Sequence, residues 1–293
     1  MPELPEVETT IRQLKTKVLN RTFVDFWTDT PKIIKKPKNI NDFKKQIIGK
    51  KILNLRRKGK NIIFDLSESK SLLIHQKLTG HLLFGEWKLL NNKWVPAKKN
   101  ALAEKINSYI HLLFVFDNNK MMALSDLRKF AKVELWDKDK LENSDVFKKI
   151  GIDPMDKNFT FKGLKEILKN KKGPIKKILM NQEIIAGIGN IYSDEILWDS
   201  KIHPLTKISS LEDKELKKIY LSIKKILKKA IKLKGESFSD YRLPSGERGG
   251  FDKERKVYRR ENQQCFRCKN SIKRVKINNR SAYFCPFCQK NDL

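Results

Sequence analysis

The hydrophobic positions of the chain change their spacing twice, near the end of its first twenty residues and again near its middle. Over residues 5–19 they recur every three to four positions, which predicts an amphipathic helix. Further along, short runs rich in β-branched residues, Leu and Phe predict strands, and many such strands with few helices between them favour an antiparallel sandwich. Asn118-Asn119 predicts a hairpin turn. The predicted strands cover residues 22–28, 51–56, 61–66, 71–76, 80–85, 109–117, 120–125 and 131–136.

A helical spacing returns after residues 151–154, which we interpret as part of a linker. Ser209 and Glu212 have the spacing of a capping box, which predicts that a Lys-rich helix opens there and closes at Gly235. Residues 237–251 are polar and Gly-rich without periodicity, and a loop of that length in a compact protein is usually either functional or disordered. Three shorter helices are predicted around residues 164–168, 175–179 and 190–199.

Charge points to the class of partner. The chain has 64 Lys and Arg against 34 Asp and Glu, which gives a formal net charge of +30. A compact chain with this charge repels itself, and nucleic acid is the commonest polyanion that relieves the repulsion. A Lys-rich composition of the kind that an AT-rich genome produces is the alternative explanation, in which many of these side chains are only solvated. The basic residues are dense again in residues 253–293, around the cysteines, which favours nucleic acid.

The sequence predicts neither a membrane protein nor a secreted one. Its longest apolar runs, such as residues 112–116, are far too short to span a bilayer. The start Met1-Pro2-Glu3 is acidic where a signal peptide is basic and then apolar. We therefore expect no membrane partner and a cytoplasmic location.

The four cysteines have the spacing of a metal site, namely Cys265-x2-Cys268, 16 further residues, and Cys285-x2-Cys288. Two such knuckles can converge on one tetrahedral Zn²⁺. Two disulfides are the alternative, but nothing in the sequence indicates an oxidising compartment. A four-cysteine zinc has no open coordination position, so it stabilises a fold and performs no chemistry. The alternating stretch between the knuckles predicts a basic hairpin, which indicates a nucleic-acid partner without defining an activity.

The opening residues allow two interpretations. Proline and carboxylates are favoured in a first helical turn, where the carboxylates suit the helix dipole. If Met1 is removed, however, Pro2 carries a secondary amine, and a terminal amine with a pKa of ~8 is partly unprotonated at neutral pH. Such an amine can attack a sugar C1′ and form an iminium, which acidifies the neighbouring C2′ proton. Glu3 and Glu6 stand beside Pro2 and are candidates for proton transfer.

Together these motifs resemble the bacterial formamidopyrimidine-DNA glycosylase family (Fpg, or MutM). The opening octapeptide, residues 188–195 and the four-cysteine spacing occur in the family's order, so the resemblance runs essentially from end to end. It implies an α+β fold with an N-terminal helix plus antiparallel β-sandwich, then a helix–two-turn–helix domain with a four-cysteine zinc-finger hairpin. It also implies one structural Zn²⁺, damaged double-stranded DNA bound between two domains, and a glycosylase that removes oxidised purines and then cleaves the strand.

The resemblance gives the expected division of the chain. A catalytic β-sandwich domain is expected over residues 1–140, a linker over 141–160, and the helix–two-turn–helix domain over 161–252. The last of these contains the lesion loop, 237–251, and the zinc-finger hairpin follows over 253–293. Because one lesion and one complete site need a single copy, a monomer is expected.

Catalytic roles are carried over position by position. Pro2 matches the nucleophile that displaces the damaged base and forms the Schiff base, which is followed by β- and δ-elimination. Glu3 matches the acid that assists opening of the sugar ring, and Glu6 matches a carboxylate that supports the same site. Lys60 matches the strand-edge Lys that contacts the lesion phosphates, with Lys58 as the alternative.

Further residues match groups that hold the DNA. Arg280 matches a catalytic-site Arg that grips the lesion phosphates. Arg128 and Phe130 match a wedge that fills the hole left by a flipped nucleotide, where an unstacked gap favours a guanidinium and an aromatic ring. Leu78 replaces the family's usual Met in a third part of this wedge, beside Lys77 in place of a Gly. The other implied DNA contacts are His75, Tyr109 (where a His is usual), Lys171, Lys176 and Asn190.

Two rival functions stay open. The endonuclease VIII branch shares Pro2, Glu3 and the zinc hairpin but removes oxidised pyrimidines. Residues 237–251 resemble the loop that covers 8-oxoguanine in the purine-specific branch, which favours purine lesions. A non-catalytic zinc-ribbon binder fits the charge and the cysteines equally well, but it has no use for a free N-terminal Pro2 or for the pair Arg128 and Phe130.

Overall fold

The computed structural model describes residues 1–237, 240–277 and 279–290. Phe238 and Ser239, two residues of the predicted polar loop, lie outside the described residues.

The chain forms two compact units, and one of them is discontinuous in sequence. The first unit combines Met1–Lys148 with Leu233–Asp252, and the second combines Lys149–Lys232 with Lys253–Leu293. Most of the predicted polar loop therefore groups with the N-terminal unit. The domain divisions that the sequence resemblance implied stay predictions.

The first unit begins with helix α1 (Leu4–Val18), whose apolar face buries Val7, Leu14 and Val18 completely. The remainder of this unit is mostly strands joined by short turns. At Asn118-Asn119 the chain makes the predicted hairpin turn, because Asn119 adopts a positive φ of 59°. The strands are β1 (Phe23–Thr28), β2 (Ile34–Lys36), β3 (Ile52–Lys58), β4 (Asn61–Leu66), β5 (Lys70–His75), β6 (His81–Gly85), β7 (Trp87–Leu90), β8 (Lys93–Pro96), β9 (Ile110–Phe116), β10 (Met121–Ser125) and β11 (Lys132–Asp137).

Two of the sheets pack as the predicted sandwich. One has the strand order β1-β9-β10-β6 and the other the order β2-β11-β5-β4-β3. Among the described strands the pairing is antiparallel except between β2 and β11, which run parallel. The core contains Phe23, Phe114, Phe64 and Leu72, all fully buried, and the Phe23 and Phe114 rings lie 5.1 Å apart. The predicted antiparallel sandwich is confirmed.

Several short elements of this unit did not follow from the hydrophobic spacing. Helix α2 (Ile40–Ile47) buries only Phe43 and Ile47, which is too few positions to define a period. The β7–β8 hairpin forms its own two-stranded sheet and turns at Asn91-Asn92, both at positive φ. Helices α3 (Lys138–Glu142) and α4 (Asp145–Lys148) are single turns.

The second unit is helical and ends in a hairpin. Its helices are α5 (Phe161–Leu168), α6 (Ile175–Met180), α7 (Asn190–Ser200) and α8 (Asp213–Lys232), and its hairpin strands are β12 (Lys273–Ile277) and β13 (Arg280–Phe284). Helix α7 is buried along almost its whole length, including the carboxylates of Asp194 and Glu195.

The predicted start of α8 was wrong by one short turn. Ser209 lies in a 3-10 turn, and the extended residue Leu211 separates that turn from the helix. The backbone N–H of Glu212 instead donates to the Glu215 carboxylate over 2.9 Å. Glu212 and Glu215 thus form the contact that the sequence assigned to Ser209 and Glu212, because a polar stretch offers more than one capping register.

Candidate functional site

Pro2 is buried immediately before α1. Glu3 is the N-cap residue of that helix, and its backbone N–H donates to Glu6 Oε2 over 2.7 Å in a reciprocal capping box. Both carboxylates are almost fully buried. Carboxylates suit this helix end because it carries the positive end of the helix dipole. The structure thus brings together the predicted nucleophile and its two predicted carboxylates, at the end of a rigid helix.

Glu6 also joins the helix to the returning segment 233–252. Its second oxygen, Oε1, accepts a hydrogen bond from the Glu236 backbone N–H over 2.9 Å. Gly235 has φ +80°, and a Cβ added there would lie 2.7 Å from Glu6 Oε1. Any other residue would therefore be strained both by the backbone conformation and by the close contact with Glu6. Tyr241 donates its hydroxyl to the Glu6 carbonyl over 3.1 Å, and burial raises the pKa of this phenol above its usual value.

Lys60 occupies the tight turn between β3 and β4, directly after Gly59 at φ +57°. Its side chain is largely buried, with the residue 6% exposed, whereas Lys58 is partly exposed at the end of β3. The neighbouring Arg57 donates to Glu8 Oε2 over 2.9 Å. The turn therefore fixes Lys60 more firmly than Lys58, which favours Lys60 as the strand-edge lysine. The role of either lysine stays a prediction.

The predicted wedge residues lie on two adjacent loops and are exposed. Leu78 is 38% exposed and Phe130 51% exposed, although both are large and apolar. The Arg128 guanidinium lies over the Phe130 ring, 4.7 Å from its centroid. Exposed apolar side chains of this size, grouped in one place, are typical of a binding surface.

Asp126 ties the two wedge loops together, a role that the sequence analysis did not identify. Its carboxylate accepts hydrogen bonds from the Ala131 N–H over 2.7 Å and from the Thr79 hydroxyl. Thr79 in turn accepts the Arg128 N–H over 3.0 Å. Since Asp126 directly precedes the segment singled out for DNA contact, its position was visible in the sequence, but its bonding pattern was not.

The loop that departs from the family pattern has an unusual backbone at Lys77. Lys77 adopts φ +55°, the left-handed conformation that a glycine supports more easily. A non-glycine residue in this conformation costs about 1–2 kcal/mol. Beside it, Gln76 is 1% exposed, and neither atom of its amide has a hydrogen-bond partner among the described residues. The loop therefore contains two locally unfavourable residues next to Leu78.

His75 ends β5 among several cations. Burial, together with the charges of Lys77, Lys60 and Lys132, lowers the pKa of His75 to about 3. Its Nδ1 accepts the Lys77 backbone N–H over 3.0 Å, which requires that this nitrogen carries no proton. His75 is thus neutral at physiological pH.

Tyr109 contacts one of the wedge loops through its backbone. The carbonyl of this half-buried residue accepts the Asp126 N–H over 2.8 Å.

The neutral His75 predicts a pH-dependent stability. An unfolded imidazole binds its proton near pH ~6.5, whereas the folded one stays unprotonated to about pH 3. The free energy of unfolding should therefore fall as the pH falls from 6.5 towards 3, by at most about 1.4 kcal/mol per pH unit. Urea unfolding at pH 7 and pH 5 of wild type and His75→Asn measures this term. If both proteins lose equal stability, the assignment is wrong.

In the second unit, Asn190 opens α7. Its side-chain Oδ1 is buried and has no hydrogen-bond partner among the described residues. The N-terminus of a helix favours anions, because the helix dipole is positive there. Lys171 lies exposed beyond α5. The structure gives it no distinguishing contact among the described residues, and its DNA contact stays a prediction.

Lys176 is placed differently from an exposed nucleotide contact. It is 1% exposed, and its Nζ donates to Asp194 Oδ1 over 2.6 Å and to the Ser281 carbonyl over 2.9 Å. The other oxygen of Asp194 accepts the Tyr283 N–H over 3.1 Å. Burial raises the pKa of Asp194 to about 7, while the Lys176 charge opposes this shift. This buried ion pair fastens α6 and α7 to strand β13.

Strand β13 begins with the exposed residue Arg280. The preceding Asn279 adopts φ +59°, a left-handed backbone conformation that asparagine tolerates better than most residues. Arg280 lines a cavity of about 250 Å³ together with Lys177, Met180 and Asn181 of the same unit. The hairpin therefore presents a guanidinium beside α6, as expected for a phosphate contact.

The four cysteines converge, and none forms a disulfide. Their sulfurs all lie within 4.8 Å of one another, with Cys265–Cys288 at 4.0 Å and Cys268–Cys285 at 3.4 Å. Tetrahedral zinc with Zn–S bonds of about 2.3 Å requires sulfurs about 3.8 Å apart, so the donor set fits Zn²⁺. When bound, zinc fixes the hairpin, and the two-disulfide alternative is wrong.

Removal of the metal should abolish the hairpin structure and weaken DNA binding about tenfold or more, since a four-cysteine zinc supplies the folding free energy of such a small element. Trp198 reports on this change, because its Nε1 donates to Cys265 Sγ over 3.4 Å. Chelation followed by tryptophan fluorescence and DNA titration makes the measurement, and added Zn²⁺ should restore both signals. Full binding by the zinc-free protein would contradict the prediction.

Among the described residues, no helix combines the length and apolar character needed to cross a membrane.

Comparisons with known proteins cover the whole chain. Residues 1–133 match the Formamidopyrimidine-DNA glycosylase N-terminal domain, residues 150–242 its H2TH domain, and residues 262–291 a zinc finger found in FPG and IleRS. A formamidopyrimidine-DNA glycosylase from Pelotomaculum thermopropionicum is 33% identical over 290 residues, which cover 99% of both chains.

Solved structures agree with this comparison. Lactococcus lactis Fpg in complex with a Fapy-dG containing DNA has a TM-score of 0.85 and 31% identity, over 99% of this chain and 100% of that one. The same enzyme in complex with an oxidised pyrimidine containing DNA has a TM-score of 0.85 and 32% identity, with the same coverage. These matches confirm the resemblance found in the sequence, and the chain belongs to the formamidopyrimidine-DNA glycosylase family.

Proposed function

We propose that this chain is a bifunctional DNA glycosylase that excises oxidised purines, 8-oxoguanine and formamidopyrimidines, and then cleaves the strand. The observation that carries the proposal is the buried cluster of Pro2, Glu3 and Glu6 at the start of α1. The family membership and the relatives' complexes with damaged DNA support the substrate class.

The proposed reaction uses the Pro2 nitrogen as nucleophile. Its lone pair attacks the sugar C1′ while the bond from C1′ to the damaged base breaks, and the base leaves with its bonding pair and takes up the proton that the Pro2 nitrogen releases. Glu3 protonates the ring oxygen as the sugar opens to an iminium. The Glu3 carboxylate formed in that step then takes up the C2′ proton, and the electron pair left behind expels the 3′ phosphate; a second elimination, with loss of the C4′ proton, expels the 5′ phosphate, and water hydrolyses the iminium to free Pro2. Zinc takes no part in these steps, because four thiolates fill its coordination.

The remaining site residues support this reaction by holding the DNA. Lys60 and Arg280 are proposed to bind the phosphates that flank the lesion, and Asn190 a further phosphate at the N-terminus of α7. Leu78, Arg128 and Phe130 are proposed to fill the space of the flipped nucleotide. His75, Tyr109 and Lys171 stay proposed contacts, whereas Lys176 is proposed to hold strand β13 in place for the DNA through its buried ion pair with Asp194. We also infer that the enzyme acts as a monomer on DNA of the bacterial cytoplasm.

The decisive experiment is borohydride trapping on a duplex with one 8-oxoguanine opposite cytosine, followed by peptide mass analysis. A covalent adduct at Pro2 is expected, since borohydride reduces the iminium to a stable amine. A relative was solved with an oxidised pyrimidine, so that lesion and an abasic site are tested in parallel. Trapping only on the pyrimidine would move the assignment to oxidised pyrimidines. Binding without trapping on any substrate would leave a non-catalytic DNA binder.

A further inference from the structure

A cavity next to the wedge has an unusual lining. It has a volume of about 470 Å³ and lies within the first unit. Among the described residues its lining contains four ammonium groups and no carboxylate, beside the exposed wedge side chains Leu78 and Phe130. The lining residues are Lys32, Lys35, Lys77, Leu78, Lys129, Phe130 and Ala131.

These four lysines differ from other lysines of the same unit. Lys44, Lys50 and Lys70 each pair with a carboxylate at 2.6–2.8 Å. None of the four cavity lysines has an ion pair or a side-chain hydrogen bond among the described residues. Ammonium groups collected around one cavity repel one another, and an anion bound between them offsets this repulsion.

Asp29, a carboxylate that feels the charge of Lys129, is already engaged by other groups. Burial alone would raise the pKa of Asp29, but hydrogen bonds from Thr30 and His111 and the charge of Lys129 hold it below its usual value. The Asp29 carboxylate lies 2.9 Å from His111 Nδ1 and accepts the Thr30 hydroxyl over 2.7 Å. Asp29 therefore offsets only part of the charge of one lysine.

Two of the four lysines directly precede wedge residues in the chain. Lys77 has φ +55° and directly precedes Leu78, while Lys129 has φ +57° and directly precedes Phe130. Left-handed backbone is unfavourable for a lysine, yet in each loop the lysine before the apolar wedge residue adopts it. Because Asp126 bonds to both loops, the two ammonium groups are held together with the two apolar side chains.

We propose that Lys32, Lys35, Lys77 and Lys129 bind phosphates of the DNA strand opposite the lesion, a proposal that rests on the function proposed above. A wedge that fills the gap of a flipped nucleotide faces the orphaned base, which belongs to the complementary strand. Cations that surround such a wedge therefore meet the backbone of that strand. The site makes the enzyme selective for duplex over single-stranded DNA.

Lys77→Gly is the sharpest test variant, because glycine adopts the backbone conformation of this position without strain. Misfolding therefore cannot explain a loss of affinity. We expect the slope of log affinity against log salt to fall in magnitude by about 0.9 for each lost phosphate contact. On a duplex with a stable abasic analogue this applies to Lys77→Gly and doubly to Lys32→Gln with Lys35→Gln. Lys45→Gln, an exposed lysine on α2, is the matched control and should leave the slope unchanged.

Neutral methylphosphonates identify the strand. Placed in the strand opposite the lesion, they should lower the affinity of wild type but lower that of the lysine variants no further. Placed in the lesion strand, they should lower the affinity of the lysine variants further. Affinity for the single strand should be equal in all variants. An unchanged salt slope, or non-additivity on the lesion strand alone, would overturn the proposal. Trapping at Pro2 is measured for the same proteins on a parallel 8-oxoguanine duplex, so its absence there would instead indicate failure of the proposed chemistry.

Discussion

Enzyme that retains any residue before Pro2 is expected to lose at least about 10³-fold in strand cleavage and to give no trapped adduct. An additional residue converts the Pro2 nitrogen into an amide, whose lone pair is delocalised and cannot attack C1′. Pro2 lies buried at the start of α1, so this helix fixes the position of its nitrogen. Single-turnover cleavage of an 8-oxoguanine duplex measures the effect.

A removable extension supplies its own control. Proteolysis that exposes Pro2 should restore cleavage in the same preparation, while affinity for a stable abasic analogue should stay within about threefold throughout. Pro2→Gly should also lose cleavage, because it replaces the secondary amine held in the proline ring with a primary amine that no ring holds in place for attack on C1′. Normal cleavage by the extended protein would remove Pro2 from the mechanism and leave the lesion to another nucleophile.

Replacing Lys176 with Met is expected to lower the free energy of unfolding by about 3–5 kcal/mol. The change leaves the Asp194 carboxylate buried without its cation, and breaking a buried ion pair from one side costs this much. Strand β13 and Arg280 should loosen with it, because Nζ also donates to the Ser281 carbonyl. Urea denaturation gives the stability, and DNA titration gives the loss of affinity.

The pH dependence separates this structural role from a direct DNA contact. Burial already raises the pKa of Asp194 to about 7, so the folded state holds this proton more tightly than the unfolded state, in which the pKa is ~3.9. Without Lys176 the carboxylate should become harder to ionise still. The loss of stability of Lys176→Met relative to wild type should therefore grow as the pH rises above about 7, because below that pH both proteins hold the Asp194 proton and lose stability in parallel.

The double variant Lys176→Met with Asp194→Leu is the matched control, because it removes both charges and can restore much of the stability. If the single variant keeps wild-type stability and only weakens DNA binding, Lys176 acts on the nucleotide instead. That result would favour the role inferred from the sequence resemblance.

Much of the fold followed from spacing that local physics determines. The apolar face of α1 and the strand runs of the sandwich bury one side each, so their period appears in the chain itself. The cysteine spacing predicted a metal site for the same reason, since four ligands in two knuckles need little else. Elements with few buried positions, such as α2 and the β7–β8 hairpin, gave no period and were not predicted.

The site was harder to predict wherever long-range bonds determine it. Asp126 stands just before the predicted wedge residues and Asp194 stands within residues 188–195, but nothing local indicates that Asp126 ties two loops together or that Asp194 binds a lysine. The backbone of Lys77 was not predicted either. Left-handed backbone is unfavourable for a lysine, yet Lys77 adopts it in a loop that the bond between Thr79 and Asp126 stabilises.

The bond between Glu6 and Glu236 has a consequence for the order of events on the ribosome. The two residues are 230 positions apart in the chain. At about 5–20 residues per second, a nascent chain has its first helix exposed for roughly 10–50 s before the segment that completes Glu6's contacts is made. Pro2 is therefore synthesised first, and the segment that contains Glu236 is synthesised late. The N-terminal unit can reach its final structure only when most of the protein has been synthesised.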